Sequence, residues 1–167
     1  MLSKEELNEL FDYYPKSGKL IWKEKSPTSR ANKIFNSKFA FQEAGRITES
    51  GYLRVQIKNR DYYVHRIIWV MTQEEPLTFI DHINGIKHDN RLANLRLATY
   101  AENLQNRNKP KSNNSTGVLG VSKKGTKFIA HICVNYKLKS LGSFNTIEEA
   151  SNAYQKAKKE LHTFNRR

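Results

Sequence analysis

The pattern of apolar and polar residues at the start of the chain predicts a short helix followed by a strand. Ser3 and Glu6 have the spacing of a capping box, and Leu7 opens an apolar helix face. The apolar stretch 19–22 follows a proline and a glycine and is predicted to be a strand. Residues 24–44 show no clear period, so we expect an extended loop there.

A two-residue alternation then marks a hairpin. Leu53, Val55 and Ile57 alternate with polar residues, which places the three apolar side chains on one face of a strand. The chain turns and returns as a strand at 62–64. The apolar stretch 65–71 is predicted to be a short buried helix.

Two further short strands, at 79–83 and 95–97, enclose a polar loop that opens with an Asn-Gly turn. Thr99 begins a second capping box, which predicts a helix that carries Asn103. The order strand, loop, strand, helix therefore ends the N-terminal part of the chain.

The stretch 106–116 is polar and basic and contains no apolar residue, which indicates a linker. The sequence beyond it predicts a three-stranded meander backed by one amphipathic helix. Its elements are strands at 117–121, 127–134 and 137–141 and a helix that begins after Thr146. The fold class expected is α+β, with domains at 1–105 and 117–167.

Composition narrows the setting of a chain of 167 residues. Its only cysteine, Cys133, excludes an internal disulfide framework and a cysteine-rich zinc site. The chain contains no run of 18 apolar residues, so no membrane span is predicted. The acidic N-terminus does not resemble a secretory signal. We therefore expect an intracellular protein, in the host cytoplasm if a phage encodes it.

The formal charge of +13 is unevenly distributed. Residues 1–60 carry a net charge of +5, residues 61–105 carry −2, and residues 106–167 carry +10. A near-neutral centre between basic flanks fits a chemical site that its neighbours hold on a polyanion, with nucleic acid the first candidate. The alternative is a lysine-rich surface that serves solubility alone.

The chemistry is concentrated in residues 81–103. Asp81 and His82 are adjacent at a predicted strand end, so their side chains are expected on opposite sides. The carboxylate and the Asn103 carbonyl are hard oxygen donors suited to Mg²⁺, and imidazole titrates near neutral pH. His82 is thus the candidate general base, and Asp81 and Asn103 are the candidate metal ligands.

The segment DHINGIKHDNRLANLRLAT, with the preceding YVHRIIW, resembles the HNH nucleases, in particular phage and intron-encoded homing endonucleases. The resemblance implies a ββα-metal site at about 79–107, in which His82 activates water and Asn94 braces the loop. It implies that Asp81 and Asn103 bind one divalent ion, Mg²⁺ or Mn²⁺, with no zinc expected. The function implied is site-directed hydrolysis of DNA phosphodiester bonds.

The sequence allows two interpretations for each of the neighbouring residues His65 and Arg66. His65 is either a buried, hydrogen-bonded histidine or a group supporting the site close to the phosphate. Arg66 either contacts the phosphate or pairs with an acid.

Residues 117–162 resemble the DNA-binding domain of plant ethylene-response factors, through Thr116-Gly117-Val118, Leu141-Gly142-Ser143-Phe144 and Thr146-Ile147-Glu148-Glu149-Ala150. In that family the sheet lies in the major groove of DNA. This chain has lysines where those domains use arginine and tryptophan, which favours phosphate contacts over base reading. The DNA-binding candidates are Arg107, Lys109, Lys111, Lys123, Lys124, Lys127, His131, Lys137 and Lys139.

The partner expected is double-stranded DNA, with no membrane role, and no long heptad pattern suggests a dimer, so a monomer is expected. Two alternatives remain open. One is a DNA-binding regulator with a vestigial nuclease site. The other is a nuclease of low specificity, or one directed at RNA.

Overall fold

A computed structural model describes residues 2–73, 79–105, 110, 112–162 and 164. The chain divides into an N-terminal unit, Met1–Leu97, and a C-terminal unit, Ala98–Arg167. The predicted linker 106–116 therefore falls inside the C-terminal unit, and its residues 106–109 and 111 lie outside the described residues. Within the described part of the chain, no helix combines the length and apolar character that crossing a membrane requires.

The first helix, α1 (Lys4–Leu10), begins as the sequence predicts. Ser3 and Glu6 form a reciprocal capping box, and Leu7 is buried. A hairpin follows, made of β1 (Phe11–Tyr14) and β2 (Lys19–Trp22). The predicted strand at 19–22 is confirmed.

The loop expected over 24–44 is wrong, because this stretch contains the helix α2 (Arg30–Phe39). Ser29 caps it by accepting a hydrogen bond from the backbone N–H of Asn32. The helix buries no residue fully. Phe35 meets Trp22 edge-on at 5.2 Å, and the Asn36 side chain hydrogen-bonds with the backbone of Lys25. Ala31, Ile34, Phe35 and Phe39 have helical spacing, a pattern that the prediction of a loop did not use.

A three-stranded antiparallel sheet comes next, with β3 (Arg46–Ile47), β4 (Leu53–Ile57) and β5 (Arg60–Tyr63) in that order. Lys58 and Asn59 both have positive φ, as a two-residue hairpin of the I′ type requires. The helix α3 (Val64–Thr72) starts directly after β5 and is buried along most of its length. The main core of the unit collects apolar side chains from these elements: Leu7, Phe11, Leu20, Val55, Ile57, Val64, Ile67, Ile68 and Leu95.

The strands β6 (Phe79–His82) and β7 (Leu95–Ala98) pair with each other, and a single 3-10 turn (Leu92–Asn94) precedes β7. In the C-terminal unit, Thr99 and Glu102 cap α4 (Tyr100–Gln105) reciprocally, as the sequence predicts.

The C-terminal sheet has the order β10-β9-β8, with β8 (Val121–Lys124), β9 (Lys127–Val134) and β10 (Lys137–Phe144), and α5 (Ile147–Leu161) packs on it. This is the predicted three-stranded sheet with one helix. The strand predicted at 117–121 is wrong, because Thr116 and Asn114 hold that stretch in turns and pairing starts at Val121. The whole is a mixed α/β structure of small sheets, with five α-helices among the described residues.

Candidate active site

Asp81 and His82 end strand β6, and both are buried, with 6% and 3% of their surface exposed. Burying two ionisable neighbours is costly unless each has a polar or charged partner. The side chains that hydrogen-bond to Asp81 and His82 therefore define the site.

His82 is held by the loop that follows it. Its Nε2 lies 3.0 Å from Oδ1 of Asn90, and Asn90 is itself almost fully buried. Asn90 therefore fixes the orientation of the imidazole ring.

Asp81 faces Arg96, which lies on the adjacent strand β7. Nε and a terminal nitrogen of Arg96 donate to Oδ2 of Asp81 at 3.1 and 2.9 Å. The sequence interpretation did not include Arg96. The signal available was an arginine inside a short apolar strand predicted to pair with the strand that carries the carboxylate.

Asn94 binds the loop between β6 and β7 at two points. Its Oδ1 accepts from the backbone N–H of Asn84 at 2.9 Å, and its Nδ2 donates to the backbone oxygen of Asp89 at 2.7 Å. The backbone oxygen of Asn94 also accepts from the N–H of Ile83. A single buried side chain thus fixes both arms of the loop that carries Asn90.

Asp89 reinforces the same loop. Arg91 donates to both of its carboxylate oxygens at 2.8 and 2.6 Å, and Asn84 donates to Oδ2 at 2.7 Å. The hydrogen bonds from Arg91, followed by that from Asn84, lower the pKa of Asp89 to about 2. Sequence reasoning did not single out this residue.

The hairpin at the N-terminus supports the loop from outside. The Tyr13 hydroxyl donates to the backbone oxygen of Asn90 at 3.0 Å and accepts from the N–H of Leu92 at 2.8 Å. Gly18, with φ of +74°, lies so close that a Cβ there would come within 2.5 Å of the Arg91 nitrogen. The hairpin and the loop therefore form one packed layer.

The ring of His65 packs against the rings of Tyr63 and His82. It stacks on Tyr63 with ring centroids 5.5 Å apart, and it meets His82 edge-on at 5.1 Å. Burial, followed by the charges of His82 and Arg66, lowers the pKa of His65 to about 3. His65 is therefore neutral at physiological pH and contacts the candidate base directly, while Arg66 is half-buried beside it on α3.

Asn103 lies on α4, in the C-terminal unit, and is exposed. Over the described ranges, the structure contains no group of three or more His, Cys, Asp or Glu residues that could hold a metal ion. Asp81 and Asn103 each offer a hard oxygen donor of the kind that Mg²⁺ prefers.

The predicted DNA contacts of the C-terminal sheet fall on two faces. Lys124 and Lys127 lie directly opposite each other on the face away from α5, and His131 shares that face. This row is the basic part of the outer surface.

The other three sheet lysines lie on the face that packs toward α5. Lys137 and Lys139 lie opposite Val134 and Ile132, and Lys123 lies opposite an apolar residue as well. They are exposed at the rim of that face. The remaining candidates, Arg107, Lys109 and Lys111, lie outside the described residues.

Comparison with known proteins identifies the segment that carries this loop. The family model described as HNH endonuclease matches residues 62–105. The match runs from the end of β5 to the end of α4 and includes both the Asp81–His82 pair and Asn94. Neither the curated proteins nor the solved structures contained a match to the chain.

Proposed function

We propose that this chain is a site-directed DNA endonuclease of the homing type that hydrolyses phosphodiester bonds with one divalent metal ion. The HNH endonuclease domain at residues 62–105 supports nuclease chemistry on DNA. The observation that carries the residue assignment is the buried Asp81–His82 pair at the end of β6, next to the loop braced by Asn94.

His82 is the general base of this proposal. Asn90 fixes its ring through Nε2, and the imidazole takes a proton from the attacking water. His65, held neutral by burial, packs against the ring without adding charge. Removing the proton lets the water oxygen attack phosphorus in line with the departing 3′ oxygen.

Asp81 and Asn103 would hold the metal ion. The donor set fits, because both side chains offer hard oxygens, and the buried Asp81 carboxylate already pairs with one cation, the guanidinium of Arg96. When bound, Mg²⁺ or Mn²⁺ would polarise a phosphate oxygen and neutralise charge on the leaving oxygen.

Asn94 acts on the geometry of the site. Its two hydrogen bonds keep the chain between β6 and β7 in one conformation, which in turn holds Asn90 against His82. Pre-organisation of this kind avoids rearrangement during the reaction.

The C-terminal unit would hold the DNA, in the manner of an ethylene-response-factor domain. Its sheet offers Lys124, Lys127 and His131 on the face away from α5, and lysines bind phosphate as flexible point charges. The basic segment of Arg107, Lys109 and Lys111 would add contacts to the backbone. A monomer has one site and would nick one strand.

The test is cleavage of a long duplex DNA in Mg²⁺, Mn²⁺ or EDTA, analysed on native and denaturing gels. Discrete fragments that require the metal support a site-directed endonuclease, and intact native bands with cut single strands identify nicking. A metal-dependent smear would contradict the site specificity. A shifted but uncut band under all conditions would contradict the nuclease and support a DNA-binding regulator.

A further inference from the structure

Two arginines face each other across the exposed side of the N-terminal sheet. The register of β3 and β4 places Arg46 directly opposite Arg54, where Cα atoms are about 4.5–5.5 Å apart. Like charges at such positions destabilise a sheet. An anion bound between the two guanidinium groups would relieve this repulsion.

The carboxylates nearby balance only part of this charge. Asp61 lies 3.6 Å from Arg54, beyond the roughly 2.7–2.9 Å of a charge-assisted hydrogen bond, and the Arg54 Nε is buried without a partner in the described structure. Glu43 is paired with Lys19 at 2.9 Å. Within the described residues, Arg46 forms no ion pair.

The backbone builds this juxtaposition. Gly45, with φ of +106°, precedes Arg46, and a Cβ on it would lie 3.3 Å from the carbonyl oxygen of Arg54 and 3.0 Å from a methyl group of Val64. The glycine lets β3 approach β4 at this point. The two guanidinium groups consequently start from fixed neighbouring positions.

The pair also lines an open groove of about 600 Å³. Two further cations, Lys25 and Lys58, border the groove, and Trp22 forms part of its apolar lining. Cations outnumber carboxylates along it, which favours a polyanion over a neutral ligand.

A row of neighbouring side chains connects the Arg46–Arg54 pair with the candidate base, His82. Tyr63 is directly opposite Arg54 on β5, on the same face, and Tyr63 stacks on His65, which contacts His82. Neighbouring strands are about 4.8 Å apart, so the row spans only a few nucleotides of a DNA strand.

We propose that Arg46 and Arg54 bind one backbone phosphate of duplex DNA and so position the strand that reaches His82. Guanidinium groups present planar forks that match phosphate oxygens, and two of them can share a single phosphate. The positioning role rests on the proposed nuclease function. The phosphate contact itself does not require cleavage.

The experiment measures the affinity of the full chain for a labelled 30-base-pair duplex in EDTA across a series of salt concentrations. The Arg46→Gln/Arg54→Gln variant should bind about tenfold more weakly at physiological salt. The slope of log affinity against log salt should become shallower by about 0.9, the value for one lost phosphate contact. Its thermal midpoint should change little, because the substitution removes a repulsion together with the partly exposed Arg54–Asp61 ion pair.

Arg60→Gln is the matched control, because Arg60 lies on the same sheet opposite Ile57, on the other face. An unchanged slope in the double variant, or an equal change in Arg60→Gln, would overturn the proposal. If the double variant does not fold, Arg46→Gln alone is held to the same criterion, since it keeps the Arg54–Asp61 contact. Because binding is measured without metal, the test of the phosphate contact stays valid even if the protein does not cleave DNA.

Discussion

Arg96 donates from two nitrogens to the same carboxylate oxygen of Asp81, at 3.1 and 2.9 Å. Asp81 is buried, whereas the Arg96 side chain keeps about a quarter of its surface exposed. The guanidinium thus supplies the positive charge that a buried carboxylate needs. In the proposed function a metal ion would share or take over this role.

Replacing Arg96 with methionine should therefore destabilise the protein in EDTA and make its stability depend on metal. Removing one partner of a buried ion pair costs about 3 kcal/mol. Millimolar Mg²⁺ should restore part of that loss, measured as the free energy of unfolding in urea. Arg91→Met, which removes an exposed partner of Asp89, should show no such Mg²⁺ effect. Equal responses of the two variants to Mg²⁺ would contradict the assignment of Asp81.

Acid should destabilise the protein through His65. Its pKa is lowered to about 3, mainly by burial, whereas an unfolded histidine has a pKa of about 6.5. The unfolded chain therefore takes up the proton first, and the stability present above about pH 6.5 is lost as the pH falls toward 3. The loss should be about 1.4 kcal/mol per pH unit below 6.5.

His65→Phe keeps a ring against Tyr63 and removes the titration, so its urea midpoint should change much less between pH 6.5 and 4.5. The Asp89 carboxylate, with its pKa lowered to about 2, contributes only below about pH 4. A wild-type stability that is flat between pH 6.5 and 4.5 would show that His65 is not buried as described.

The Tyr13 hydroxyl should contribute both to stability and to catalysis. Tyr13→Phe leaves the Asn90 carbonyl and the Leu92 N–H without their partner, which costs about 1–3 kcal/mol. Because this loop holds Asn90 against His82, the cleavage rate should fall while DNA affinity stays the same. Tyr14→Phe, at an exposed neighbouring position, is the control. A cleavage rate that Tyr13→Phe leaves unchanged would contradict a role of the N-terminal hairpin in catalysis.

Gly120 should be indispensable to the C-terminal sheet. A Cβ at this position would lie 2.0 Å from the Tyr154 ring, and φ is +75°, so Gly120→Ala should displace α5 and cost several kcal/mol. Gly125 also has positive φ but has open space around it, so Gly125→Ala should cost only about 1 kcal/mol. If the C-terminal unit holds the DNA, Gly120→Ala alone should lose most of the affinity in a gel-shift assay.

Strong local signals were sufficient for much of this fold. The capping boxes at Ser3, Thr99 and Thr146 fixed three helix starts, because each satisfies backbone donors within four residues. The alternation around Val55 and the run from 127 to 134 identified two strands correctly.

The elements that the sequence did not reveal depend on distant partners. Helix α2 packs through Phe35 on Trp22, although its Ser29 cap and the helical spacing of its apolar residues are local signals that could have predicted it. Strand pairing begins at Val121 because side-chain hydrogen bonds from Asn114 and Thr116 occupy the preceding residues in turns.

The site shows the same division. That Asp81, His82 and Asn94 lie around one loop can be predicted from their spacing, because the loop is local in the sequence. Arg96 and Tyr13 could not be found in this way, since each acts through a contact that only strand pairing or tertiary packing creates. The register also sends Lys137 and Lys139 to the face that carries α5, which alternation within one strand cannot determine.

The most direct test of the nuclease assignment is single-turnover cleavage of duplex DNA in Mg²⁺ by His82→Ala, with DNA binding measured in parallel. His88→Ala is the matched control, because His88 is exposed on the same loop. We expect the His82 variant to lose at least a hundredfold in cleavage rate and to keep wild-type affinity, while the His88 variant keeps both. Cleavage by His82→Ala at the wild-type rate would contradict the account.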